Sequence, residues 1–144
     1  MTGTFALAVH ALVYLHHKNT TLSSEALAEN ICTNPARVRK VMAQLKKAGL
    51  VSTKEGSEGG YTPLGDTARV TLAQVAEAVD ASFVSAVWRP GSVDMNCLVA
   101  SGMAGVLDGI YADLDMLCKQ RLRQLTIGDL EKQIFSGRTP GKEE

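Results

Sequence analysis

Six basic residues (Arg37, Arg39, Lys40, Lys46, Lys47 and Lys54) lie between Ile31 and Lys54, and no acid interrupts them. Thr33, Asn34, Arg37, Arg39 and Lys40 crowd the start of what reads as a helix. An arginine there could grip guanine O6 and N7 with two hydrogen bonds, each such pair giving about 1–3 kcal/mol of discrimination. Arg37 and Arg39 are the candidates for base contacts. Lys40, Lys46, Lys47 and Lys54 suit phosphates, which position a protein without specifying sequence. Ser23 and Ser24 could offer hydroxyls or helix N–H groups to a phosphate, or simply cap a helix. Tyr61 completes the candidate set, with packing as its simpler role. The partner this chemistry calls for is double-stranded DNA.

The overall charge hides this. The chain of 144 residues is formally neutral, yet residues 1–54 hold seven basic against two acidic side chains, and residues 55–144 hold eight against thirteen. A first half with an excess of five positive charges suits a polyanion. Apolar residues make up 45% of the chain, enough for a folded core. No apolar run reaches the roughly 18 residues of a membrane helix, and no secretion signal stands out, so the expected location is the cytoplasm, away from membranes.

The elements that must position the basic residues follow from pattern. Phe5 to Lys18 reads as a helix apolar nearly all round, hence buried on more than one side. A second helix starts near Ser23 or Ser24, with Ala26, Leu27 and Ile31 as its apolar face. Cys32-Thr33-Asn34 breaks it; Asn34 then caps a third helix with Pro35 at its first position. Val38, Val41, Met42 and Leu45 form its core face, and Gly49 closes it. Leu50 to Lys54 and Tyr61 to Leu64 read as the strands of a hairpin around a glycine-rich turn, in which Gly59 and Gly60 serve geometry. The expected fold class is mainly α with a small β-hairpin wing: a winged helix-turn-helix followed by a long C-terminal dimerisation helix. Thr71 and Gln74 open a further helix to Val79 with a capping box. Residues 80–96 lack a period and read as a loop with a possible short strand at Phe83–Val84. From about Gly102 to Leu125 a long helix carries Met103, Val106, Leu107, Ile110, Leu114, Leu117 and Leu125 on one stripe, and Asp108, Asp113 and Asp115 on a solvated face. Thr126 caps a last helix to about Phe135. The expected domains are a DNA-binding domain over 1–80, a linker and possible sensing loop over 81–101, dimerisation and C-terminal helices over 102–136, and a disordered tail over 137–144.

The run Ala48-Gly49-Leu50-Val51-Ser52, followed by Gly59-Gly60-Tyr61, resembles the BadM/Rrf2 family of winged helix-turn-helix transcription regulators, the relatives of IscR, NsrR and CymR. The first helix (Ala6-Leu7-Ala8-Val9-His10-Ala11-Leu12), the stretch Val70-Thr71-Leu72 to Glu77-Ala78-Val79, and the ending Gln124-Leu125-Thr126-Ile127-Gly128-Asp129-Leu130 extend the match to about residues 5 to 132. The resemblance implies a homodimer on a palindromic operator, most simply a repressor, with Met103, Leu107, Ile110, Leu114 and Leu117 at the dimer contact. Three departures stand out, the first being that the family's usual basic residue before the first helix is missing from the opening Met1-Thr2-Gly3-Thr4. Glu55 precedes the wing's first glycine where family members often carry a basic residue. The three closely spaced cysteines of cluster-binding members are also missing, since Cys32, Cys97 and Cys118 are far apart in the chain.

Cys97, just ahead of the long helix, is the candidate for redox or electrophile sensing, because a helix N-terminus activates a thiol; a small buried cysteine is the alternative. Cys118 reads as core and Cys32 as filling the turn. His16 and His17 point about 100° apart on a helix and form no metal pincer. No zinc spacing, paired-carboxylate site or phosphate loop is present, so neither an enzyme nor a resident cofactor or metal is expected. The main expectation is a DNA-binding regulator that answers to a redox signal or a small ligand. The alternatives are an iron–sulfur sensor and a winged-helix protein-interaction module that does not bind DNA.

Overall fold

A computed structural model of the chain describes residues 2–137. Its elements, in order, are helices α1 (Thr2–Lys18), α2 (Ser24–Ile31) and α3 (Pro35–Lys47), strands β1 (Val51–Lys54) and β2 (Gly60–Pro63), a 3-10 turn (Thr67–Arg69), and helices α4 (Leu72–Ala78), α5 (Leu98–Leu122) and α6 (Ile127–Ser136). The strands form one antiparallel hairpin, with Val51 opposite Pro63 and Lys54 opposite Gly60. Residues 138–144, most of the expected tail, lie outside the described residues.

Helix α1 starts three residues earlier than its periodicity predicts and buries Leu7, Ala8, Val9, Ala11, Leu12 and Leu15. It touches α2, α3, α4, α6 and β2. Leu12 and Leu15 are fully enclosed together with Leu27 of α2, Val38, Met42 and Leu45 of α3, Val51 of β1, Val75 of α4 and Ile127 of α6. Local signals set the helix starts. Ser23 accepts from the Ala26 N–H at 3.1 Å, and Asn34 accepts from the Arg37 N–H at 2.8 Å. Thr71 and Thr126 each head a full capping box, with Gln74 and Asp129 as the returning partners.

Those two caps also pair with each other. The Leu72 N–H donates to the Leu125 carbonyl and the Ile127 N–H to the Val70 carbonyl, both at 2.9 Å. This pairing draws Leu125 off the long helix, which therefore ends at Leu122 rather than Leu125. The same helix begins at Leu98, with the Ser101 N–H donating to the Cys97 carbonyl at 2.9 Å. The expected start at Gly102 fails because Gly102 and Gly105 dilute the helical signal of the residues ahead of them.

The expected strand at Phe83–Val84 does not form. Both N–H groups donate to Asp115 of α5, at 2.6 and 3.0 Å, and Phe83 stands edge-on to Phe5 at 5.0 Å. Asp115 also holds Lys119 at 3.0 Å, and Asp108 accepts from Arg89, so two of the three aspartates read as a solvated face are anchors. Likewise His16 and His17 both reach Glu131 of α6, at 3.2 and 3.0 Å, and the His17 ring stacks on Phe135. Adjacent side chains on α1 thus clamp α6 through the two oxygens of one carboxylate.

The N–H groups of Val84 and Phe83, helped by Lys119, hold the Asp115 carboxyl below the usual carboxylate range. Its folded value being lowered, the stability it contributes is complete above the ordinary value of about 3.9 and drains away as pH falls through the folded one. Urea unfolding from neutral pH down to about pH 3 is expected to show a steeper loss for the native chain than for Asp115→Asn. The two curves should lie furthest apart at neutral pH and converge in acid.

Candidate nucleic-acid interface

Helices α2 and α3 meet across Cys32, whose φ of 64° is left-handed and turns the chain within three residues. Val38, Val41, Met42 and Leu45 bury one side of α3, as their spacing predicts. The remaining sides carry the basic residues, all of them exposed. Arg37, Lys40, Gln44 and Lys47 recur at helical spacing along one flank, and Arg39 and Lys46 lie on the other.

The two flanks differ in what holds them. Arg39 donates to the Ser24 hydroxyl at 3.2 Å and lies 3.8 Å from Glu25. Lys46 donates to the Thr53 hydroxyl of β1 at 3.0 Å. Among the described residues, no side-chain hydrogen bond or ion pair engages Arg37, Lys40, Lys47 or Lys54. The guanidinium of Arg37 lies beside the backbone of Gly3 at the start of α1. Arg37 is therefore uncommitted, whereas Arg39 is tied back to α2; sequence alone treats them as equals.

The serines are more occupied than their position suggests. Ser23 spends its oxygen on the α2 cap, and Ser24 is buried, with its hydroxyl donating to Glu25 at 3.2 Å. Thr33 is half-buried, and exposed Asn34 uses its amide oxygen as a cap. Tyr61 is half-buried against the core. Burial raises its phenol above the ordinary value, partly offset by Arg39.

The wing is stitched to the body by a contact the sequence does not reveal. Leu22 and Tyr61 exchange backbone hydrogen bonds of 2.9 and 2.8 Å, a bridge that adds the α1–α2 loop beside β2. Thr21 and Thr62 add a hydroxyl contact at 2.9 Å. Gly60 makes the approach possible: its φ is 155°, and a Cβ there would sit 2.2 Å from the Leu22 carbonyl oxygen. Glu55 and Lys54 both stand exposed at the wing, and so does Glu58.

The other predicted residues lie apart from this surface. Met103, Ile110, Leu114 and Leu117 are exposed and Leu107 half-exposed on α5, a helix with no buried residue in the single chain. Cys97 is exposed at the N-cap of α5, and Cys32 is exposed in the α2–α3 turn rather than filling it. Cys118 is half-exposed on α5, not core.

The family model for Rrf2, described as an iron-dependent transcriptional regulator, matches residues 1–133. The chain is 27% identical over 131 residues to YwnA of Bacillus subtilis, which bears the name of an HTH-type transcriptional regulator; the match covers 90% of this chain and 96% of that one. It is 26% identical over 130 residues to the HTH-type transcriptional regulator IscR of Vibrio campbellii, covering 90% and 74%. A crystal structure of a transcriptional regulator from Lactobacillus plantarum superposes with a TM-score of 0.81 at 23% identity, covering 95% of this chain and 93% of that one.

The iron in the family description does not fit the residues here. Cys97 and Cys118 are 21 positions apart on one helix, about 31 Å along its axis, and Cys32 sits in another element. Among the described residues, no three His, Cys, Asp or Glu side chains gather to hold a metal ion.

Gly60→Val tests the stitch. It should cost about 1–3 kcal/mol in urea unfolding, the range for a strained backbone position, and should lift the wing. Hydrogen exchange at the Leu22 and Tyr61 amides is expected to accelerate more than exchange in the core of α1.

Proposed function

This chain belongs to the Rrf2 family of transcriptional regulators and is not an enzyme. From that premise we propose that it is a homodimeric repressor whose α3 helices enter successive major grooves of a palindromic operator. The observation that carries the reading is the uncommitted basic flank of α3. Arg37, Lys40 and Lys47 stand exposed in a stretch without an acid, on a helix whose other side is locked into the core.

On this reading Arg37 reads a base edge, and Lys40, Lys47 and Lys54 meet phosphates. Arg39 and Lys46 orient the helix through Ser24 and Thr53, and reach phosphate by exchanging those bonds. Thr33 and Asn34, at the head of the helix, and Tyr61, beside Arg39, form the edge of the contact. Ser23 and Ser24 contribute the N-terminus of α2 more than their hydroxyls. Lys54, next to Glu55, supplies what positive charge the wing brings to DNA.

The dimer is supported by α5. Met103, Val106, Ile110, Leu114 and Leu117 are 41–62% exposed along one stripe. Two-fold symmetry would set the recognition helices roughly 34 Å apart, and a small change in the α5 pairing would move them out of register. Cys97 stands at the junction where the 81–97 segment becomes α5. Peroxide would transfer one oxygen to its thiolate, leaving a sulfenate and water, and so place a polar group at that junction. A ligand bound by the segment would act at the same point.

Capture of genomic DNA by reduced and by peroxide-treated protein tests the reading. A shared inverted-repeat site, bound by the reduced form and released on oxidation, is the expected result. Equal binding by both forms would exclude the peroxide signal, and failure to enrich any site would overturn the reading. At the operator, Arg37→Ala should cost about 1–3 kcal/mol and relax the sequence preference at one position per half-site. Lys47→Ala should instead weaken all sequences alike and lower the salt slope by about one. Binding measured over a range of salt concentrations separates the two.

A further inference from the structure

Glu25 and Glu29 are the only two acidic residues among the first 54, and both stand exposed on α2. A carboxylate beside a phosphate backbone is repelled by it. Acid at the edge of a surface that meets DNA therefore works against binding.

The two glutamates differ in what they touch. Among the described residues, no side-chain hydrogen bond or ion pair engages the Glu29 carboxylate. Glu25 stands in a triangle with Ser24 and Arg39. The Ser24 hydroxyl donates to Glu25 Oε2 at 3.2 Å and accepts from Arg39 Nη1 at 3.2 Å, and the same Nη1 lies 3.8 Å from Glu25 Oε1. Ser24 is buried at the start of α2, so the corner that joins the two charges is fixed.

Of the five basic residues on α3, Arg39 alone faces a carboxylate among the described residues. The wing joins the cluster. Burial raises the Tyr61 phenol of β2, Arg39 lowers it and Glu25 raises it. The triangle therefore sits where α2, α3 and β2 meet.

Magnitudes decide how firmly it holds. The Arg39 and Glu25 side chains are 54% and 70% exposed. A pair so exposed is screened by salt and favours its closed form by no more than about fivefold. A phosphate offers a guanidinium two parallel hydrogen bonds to a full charge. The triangle offers one hydrogen bond to a hydroxyl and a carboxylate at 3.8 Å. Phosphate therefore wins the exchange, but its gain is reduced by what Arg39 gives up. Ser24 still donates to Glu25 after Arg39 has left, which keeps the carboxylate where the guanidinium returns.

Resting on the DNA-binding reading above, we propose that Glu25 competes with DNA for Arg39. It holds the guanidinium in the free protein, surrenders it to phosphate at the operator, and recaptures it when that contact loosens. Glu25 is thus a positioning residue that shortens the life of the complex. A dimer carries the competitor twice, so its effect multiplies. Glu29, with the same charge on the same helix, has no such part.

Glu25→Gln removes the charge and keeps the shape, and Glu29→Gln is the matched control. On the operator enriched from genomic DNA, Glu25→Gln should tighten binding about three- to tenfold, chiefly through slower dissociation in a competitor chase. Glu29→Gln removes only long-range repulsion, so it should speed association at low salt and leave dissociation within about twofold of the native rate. In an Arg39→Gln background, the slower dissociation given by Glu25→Gln should vanish. Unchanged or weaker binding by Glu25→Gln, an equal slowing by Glu29→Gln, or a gain that survives Arg39→Gln would overturn the competitor and leave DNA binding standing. Failure of the native chain to enrich any operator would overturn the DNA-binding reading and the competitor together.

Discussion

Burial of one broad face of α1, from Leu7 to Leu15, beneath α2, α3, α4, α6 and β2 is the constraint on which the rest of the structure depends. Leu12 and Leu15 are wholly enclosed, and the elements around them come from both ends of the chain. Helices α2 and α3 take one side of α1, and α6 returns to the other. The positions of α3 and of α6, which follows α5, are therefore both referred to this one helix. A close-packed core transmits displacement because it lacks space to absorb it.

The charge pattern follows from the same layout. Side chains that face α1 must be apolar, so α3 can be basic only on what remains. Those positions sort into two kinds. Arg39 and Lys46 are spent on holding α3 to α2 and to the wing, whereas Arg37, Lys40 and Lys47 are held by nothing described. The acidic excess lies in the second half of the chain, and Asp115 and Asp108 use theirs to fasten the 81–97 segment to α5.

The sequence is most legible where a local rule decides the structure. The core face of α3, the Asn34-Pro35 start, the capping box at Thr71 and the cap at Thr126 can all be read from spacing of a few residues. It is least legible where a partner lies far along the chain. Nothing near Phe83 announces that its N–H will meet Asp115, 32 positions away, and nothing near His16 announces Glu131. The Leu22–Tyr61 bridge is a backbone contact and leaves no side-chain signature beyond Gly60. The long helix is misplaced at both ends for distinct reasons: Gly102 and Gly105 mask its start, and the pairing of Leu125 with Leu72 cuts its end. The candidate DNA-binding residues are visible as types, but which arginine is committed becomes visible only in three dimensions.

The central claim is that two chains place two copies of α3 on one duplex with two-fold symmetry. Hydroxyl-radical footprinting of a selected duplex, with the bound mass determined in parallel, tests it most directly. The account predicts two chains per duplex and two protected patches related by a dyad, with centres about 10 base pairs, or a whole multiple of one helical turn, apart. A single protected patch carrying one chain, or protection without a dyad, would contradict it.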